Sequence, residues 1–96
     1  MKIIVAKTFK QKLIGLMGKK NIDYGMFFPN VNSIHTFFMR ENIDILGLDK
    51  DLEIKEKYLN ISPNHTIFLK KSSHTLELPA GYGKNYQINQ RINLEF

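Results

Sequence analysis

The sequence predicts a mostly-β α+β domain: a curled antiparallel sheet or small barrel-like fold of about seven strands, with one helix packed on it near the N-terminus. Three observations carry this prediction. From Gly25 onward, short apolar stretches rich in β-branched and aromatic residues alternate with Pro, Gly, Asn and Ser turns. Only one stretch, near the N-terminus, has helical spacing behind a capping signal. Helices do not alternate with strands, which argues against a parallel βαβ layout.

The elements follow in order. Lys2 to Ala6 is short and β-rich and reads as a strand. Thr8 with Gln11 three residues on is a capping-box pair: the hydroxyl bonds the third helical amide and the Gln side chain reaches back. Phe9, Leu13, Leu16 and Met17 then fall at i, i+4, i+7 and i+8, one face of a helix. Gly18 is the expected helix end, and Gly15 interrupts the helix at a cost of about 1 kcal/mol relative to Ala. Gly25 to Phe28 is an apolar run stopped by Pro29, and Asn30-Val31-Asn32 is a turn. Ser33 to Met39 places Ile34 and Phe38 on one alternating face and Phe37 and Met39 on the other, the pattern of a strand covered on both sides. Ile45 to Leu48, Glu53 to Ile61, Thr66 to Leu69 and His74 to Leu78 are further strands, and Pro79 to Gly83 is a loop. Arg91 to Phe96 closes the chain as a strand with Ile92, Leu94 and Phe96 on one face.

The chain of 96 residues fits one domain with one core. It has no cysteine, which excludes a disulfide scaffold, a thiolate zinc site, an iron–sulfur cluster and a cysteine nucleophile. No apolar run is long enough to span a membrane. The stretch Ile3 to Ala6 is too short for the core of a signal peptide, so the expected location is the cytoplasm. The net charge is +5 and uneven: residues 1–20 carry six lysines and no acid, while residues 41–57 carry six acids against three lysines.

Two carboxylates lie between apolar neighbours: Asp44 between Ile43 and Ile45, and Glu77 between Leu76 and Leu78. A buried charge needs a cation or several amides, and Arg40 is the cation nearest Asp44 in sequence. His35 sits mid-strand among apolar residues, without the further ligands a metal requires. His65 and His74 lie in or beside turns and read as surface residues. These residues predict a polar pocket near Arg40, Asp44 and Glu77, with His35, Phe38 and Met39 around it, binding a small polar or anionic ligand or a protein partner. No catalytic residue, metal ligand or cofactor is assigned. One alternative is single-stranded nucleic-acid binding through Lys10, Lys12, Lys19 and Lys20. Another is a hydrolase using Asp44 and Glu77 as an acid–base pair on a sugar-like substrate. A third is edge-strand pairing with a partner through Thr66 to Leu69 or Arg91 to Phe96. The run Gly81-Tyr82-Gly83-Lys84 lacks the spacing of a phosphate loop and reads as a turn.

Three segments together resemble the DUF192 (UPF0127) family of small prokaryotic domains. They are Ala6-Lys7-Thr8 with Gly15-Leu16-Met17, then His35-Thr36-Phe37-Phe38-Met39-Arg40 followed by Ile43-Asp44, and finally Leu76-Glu77-Leu78-Pro79-Ala80-Gly81. Phe38 stands where many members carry Trp, and the interval from Met39 to Asp44 resembles a short-loop form. The resemblance implies a mostly-β, barrel-like domain with a packed helix, and it implies no reaction.

Overall fold

The computed structural model describes residues 1–94, apart from the side chains of Phe9 and Leu13. Among these described residues seven strands and one α-helix run in the order β1 (Ile3–Val5), α1 (Phe9–Ile14), β2 (Gly25–Phe28), β3 (Ser33–His35), β4 (Ile43–Leu48), β5 (Ile54–Ile61), β6 (Thr66–Phe68) and β7 (His74–Pro79). A 3-10 turn, Gly83–Asn85, follows β7. Five strands make one open sheet in the order β1-β2-β7-β4-β5, and β3 and β6 form a separate pair. The large sheet keeps two edges, β1 and β5, so the expected curled sheet or barrel-like fold takes the form of an open sheet, not closed into a barrel.

The N-terminal unit departs from the antiparallel expectation. β1 and β2 are parallel, with α1 in the crossover between them. The crossover is marked by one short helix, too little for alternation to show in the sequence. The remaining pairs are antiparallel.

The capping box forms as read. Thr8 Oγ1 accepts from the Gln11 amide at 3.0 Å, and Gln11 Oε1 accepts from the amides of Thr8 at 3.1 Å and Lys7 at 2.8 Å. The helix, however, ends at Ile14 and not at Gly18. Gly15 caps it at φ +52°, its N–H donating to the Gln11 carbonyl at 2.8 Å. A Cβ there would stand 3.0 Å from Cζ of Phe28, so the chain turns where only glycine passes both tests, of space and of dihedral. Leu16 continues the apolar stripe from the turn beyond and is buried.

The strand expected over Ser33 to Met39 stops at His35. Thr36 ends it: its hydroxyl donates to the Ser62 carbonyl at 2.9 Å and accepts from the His65 amide at 2.8 Å. Phe38 then takes φ +65° in a turn. The expected closing strand reduces to an isolated bridge between Glu53 and Arg91, and Glu95 and Phe96 lie outside the described residues. The segment is still held along β5, by Ile54 N–H to the Gln90 carbonyl and Asn89 N–H to the Ile54 carbonyl.

Both faces of the large sheet are covered. On one, Met26, Phe28, Ile43 and Ile45 pack with Leu16 and with Ile34 of the β3–β6 pair. On the other, Phe27, Leu46, Leu48, Ile54, Leu76 and Leu78 pack under Ile92, with Tyr86 and Leu94 at the margin. At about 25 cal/mol per Å² of apolar area, these two layers supply the driving force that holds the short strands together.

Candidate functional site

Register decides where the two carboxylates go. On the β4–β7 ladder Asp44 stands opposite Leu78, and Ile45 opposite Glu77. Neighbouring residues of a strand face opposite sides, so Asp44 shares a face with Leu78 while Glu77 shares the other with Ile45 and, across β2, with Met26.

Asp44 is fully committed. Its Oδ1 accepts from the Asn60 amide at 2.7 Å, and its Oδ2 accepts from the amides of Gly81 at 2.9 Å and Gly83 at 2.7 Å. A buried carboxylate satisfied by three amides fixes the loop after β7 onto β4 and β5. Gly83 makes this approach possible, since a Cβ there would lie 2.6 Å from Leu59 Cδ2 and 2.9 Å from Asp44 Oδ2. Arg40 is exposed, and among the described residues no ion pair joins it to Asp44 or Glu77.

Glu77 is different. It is 4% exposed, and no hydrogen bond from a described residue reaches its carboxyl. It lines a cavity of about 50 Å³ beneath the end of α1, whose walls include Lys12, Gly15, Ser33, His35 and Met39. Gly15 lies directly over the carboxyl: a Cβ there would stand 3.5 Å from Glu77 Oε1. No sealed side-chain oxygen among the described residues lacks a partner, so the Glu77 oxygens meet the cavity itself. Burial pushes the Glu77 carboxyl up from its ordinary 4.5 to about 8, leaving it mostly protonated at neutral pH.

Of the residues expected at the pocket, the structure gathers His35, Met39 and Glu77, and leaves Phe38, Arg40 and Asp44 outside the walls. His35 is exposed on the outer face of β3, its ring stacked on Phe37 at 5.5 Å. Phe38 is 75% exposed beside Met39, and its carbonyl accepts from Gly18 N–H at 2.9 Å, tying this turn to the one that follows α1. Lys10, Lys19 and Lys20 are exposed, whereas Lys12 is half-buried on the cavity wall. Ser33 and Gly15 also line the cavity; the sequence carries no signal for Ser33, and for Gly15 only its place as a glycine inside a helical stripe. His65 is exposed as expected, with its Nε2 3.0 Å from Ser62 Oγ. His74 is not a plain surface residue: it is half-buried, accepts from Asn30 N–H at 2.9 Å through Nδ1 and lies against the ring of Phe27.

Residues 1–96, the whole chain, match the family model of DUF192, described as an uncharacterized ACR. The chain belongs to the DUF192 family. Its similar curated relatives are UPF0127 proteins. One from Thermococcus kodakarensis is 28% identical over 93% of this chain and 60% of its own length. One from Thermococcus sibiricus is 29% identical over 98% of this chain and 66% of its own length. The DUF192 chain thus spans about 60–66% of the length of these relatives. Two crystal structures share its fold with a TM-score of 0.83. One, of a proposed transcription regulator from Sinorhizobium meliloti 1021, is 24% identical and is matched over 93% of this chain and 78% of that one. The other, of a protein of unknown function from Novosphingobium aromaticivorans, is 16% identical over 96% of this chain and 74% of that one. In the DUF192 chain, Leu76-Glu77-Leu78-Pro79-Ala80-Gly81 supplies both the cavity carboxyl and the loop that Asp44 anchors. Among the described residues no helix is long and apolar enough to cross a membrane, and no three His, Asp or Glu side chains cluster as a metal site.

Proposed function

We propose that this DUF192 chain is a binding module whose ligand places a polar group against Glu77, in the cavity between α1, β7 and β3. One observation carries the reading: the Glu77 carboxyl is buried, lines a cavity and has no protein partner among the described residues. Elsewhere the fold satisfies its buried polar groups fully, Asp44 with three amides and Thr36 with two partners. A carboxyl left open amid apolar walls is the arrangement of a specificity group in a ligand site. Asp44 supports the site as scaffold and does not share it. The opposed faces remove the geometric basis for the two carboxylates acting as an acid–base pair on a sugar.

The test is a thermal-shift and amide-NMR screen of metals, nucleotides, sugars, amines and short single-stranded DNA and RNA, run on the wild type and on Glu77→Gln. A ligand at about 100 times its Kd adds about 2.7 kcal/mol. In a domain of this size that raises Tm by roughly 10–20 °C. The expected hit moves the amides of Gly15, Ser33 and His35 and is lost in Glu77→Gln. A hit that moves Lys10, Lys19 and Lys20 and is indifferent to Glu77 transfers the function to nucleic-acid binding.

A further inference from the structure

We infer that the group held against Glu77 is a primary ammonium on a slender apolar stem, its head in the cavity and its stem between Ile14, Met39 and the rings of Phe37 and Phe38. The inference rests on the cavity being a ligand site and names the chemistry of what enters it.

The cavity fixes the size. A volume of about 50 Å³ holds roughly three or four water-sized groups, so a sugar ring or a nucleobase is excluded from it. The walls fix the sign of the charge. Glu77 is the cavity's sole carboxyl among the described residues, and Leu16, Phe28 and Ile34 beside it are buried and apolar. Once ionised, such a carboxylate is stabilised by a cation, or by several donors as Asp44 is, while an anion would meet it at like charge. An ammonium carries three donors and no acceptor, which suits two carboxylate oxygens in a cavity that Ser33 also lines.

The mouth fixes the stem. Ile14 on the cavity wall is exposed, as are Phe37 and Phe38. Phe37 stacks on His35, which lines the cavity, and Phe38 adjoins Met39, which also does. Phe38 is costly twice over: an aromatic ring 75% in water and a backbone at φ +65°, where a bulky residue is strained. Exposed rings on residues that adjoin or stack on the cavity-wall residues His35 and Met39 offer an alkylammonium both stem contact and cation–π attraction once Glu77 is ionised.

The remaining titratable groups on the cavity walls are Lys12 from α1 and His35 from β3; β2 contributes Phe28 and no titratable group. Lys12 makes no ion pair with Glu77, so the carboxyl's natural partner is not already in place.

The experiment follows the Glu77 carboxyl carbon by NMR from pH 5 to pH 10, in protein labelled at the glutamate carboxyls. The probes are n-butylammonium, n-butanol, butyrate, guanidinium and a short peptide bearing one lysine. Only the ionised carboxylate holds a cation. The expected result is that n-butylammonium moves the Glu77 midpoint downward and binds about 100-fold more tightly at pH 9 than at pH 6. Binding then weakens as the amine itself loses its proton near about 10.4. Glu77→Gln abolishes the shifts that n-butylammonium causes at the Gly15 and Ser33 amides, and the wild-type titration reads the same effect without any variant. A lysine peptide that binds more tightly than the free amine assigns the stem to a partner's side chain, and equal affinity assigns it to a small amine. If n-butanol, butyrate or guanidinium shifts Glu77 as much as n-butylammonium does, the ammonium inference fails and the binding site stands. If no probe moves Glu77, Gly15 or Ser33, and the screen above also leaves them unmoved, both fail. An ordinary Glu77 midpoint that rises in Lys12→Gln means that Lys12 fills the cavity itself, which also overturns the inference.

Discussion

Asp44 and Glu77 stand on adjacent strands and face opposite sides of one sheet. Asp44 is bound by the amides of Asn60, Gly81 and Gly83, and Glu77 opens into a cavity without a protein partner among the described residues. The same side-chain chemistry is therefore structural on one face and available on the other.

Glu77 makes stability fall as pH rises. Its folded value of about 8 lies above its ordinary 4.5, so between these values the folded state holds a proton that the unfolded state has released. The protonated carboxyl's contribution is complete below pH 4.5, declines from there to pH 8 and is lost above it. The decline is on the order of 5 kcal/mol. Glu77→Gln, neutral and nearly isosteric, flattens the profile. Urea unfolding at pH 5, 7 and 9 measures both, and a slope that persists in the variant assigns the dependence to another group.

Asp44→Asn destabilises without touching the cavity. One oxygen remains where two were used, and an NH₂ group now faces amide donors. The expected cost is about 2–4 kcal/mol, a drop in Tm of roughly 10–25 °C. Gly83→Ala strikes the same contact from the other side, since the added methyl meets Asp44 Oδ2 and Leu59. The two losses fall short of additive in a double-mutant cycle, and strict additivity would separate the two sites.

Phe38→Asn stabilises and weakens binding at once. Asn tolerates a left-handed backbone better than Phe, and no buried contact is given up at a ring 75% exposed. Tm rises by a few degrees, a gain of about 0.5–1 kcal/mol, while affinity for n-butylammonium falls. A loss of stability would show that the ring packs against its surroundings in solution.

His74 acts in the opposite pH direction to Glu77. Burial holds it below the usual histidine value, with the charge of Asp49 partly offsetting that. The Asn30 amide also needs the Nδ1 lone pair that protonation removes. Its contribution is complete above pH 6.5 and is lost as pH falls below that value. A lower protection factor at the Asn30 amide below pH 6 is the expected sign, and unchanged protection there would show that the contact survives protonation.

What the sequence made legible was local. The Thr8–Gln11 pair spans three residues, so pattern alone locates it. Leu76-Glu77-Leu78 announced a carboxyl in a buried setting, and the segments around Gly15, Met39 and Pro79 pointed to the family. Register was out of reach. Alternation gives parity within a strand, but whether Asp44 and Glu77 share a face depends on how β4 meets β7, some thirty residues later. The early end of α1 has the same origin, because Phe28 rather than any helical neighbour forbids a side chain at Gly15. The parallel pairing of β1 with β2 likewise leaves no periodic mark when the crossover holds one short helix.

Among the described residues β7 is the last strand, and it is the middle strand of the sheet, inserted between β2 and β4. A ribosome delivers β1, β2, β4 and β5 first, and these leave a gap that nothing emerging earlier can fill. Neither apolar layer closes until residue 79 has cleared the exit tunnel, so a nascent chain carries its apolar residues exposed until almost the end of this domain. Pairing β2 with β7 also closes a loop of more than forty residues, which makes this step entropically the slow one. Because Glu77 rides on that strand, the cavity is complete only once β7 has joined the sheet, and a chain without β7 in place lacks its carboxyl wall.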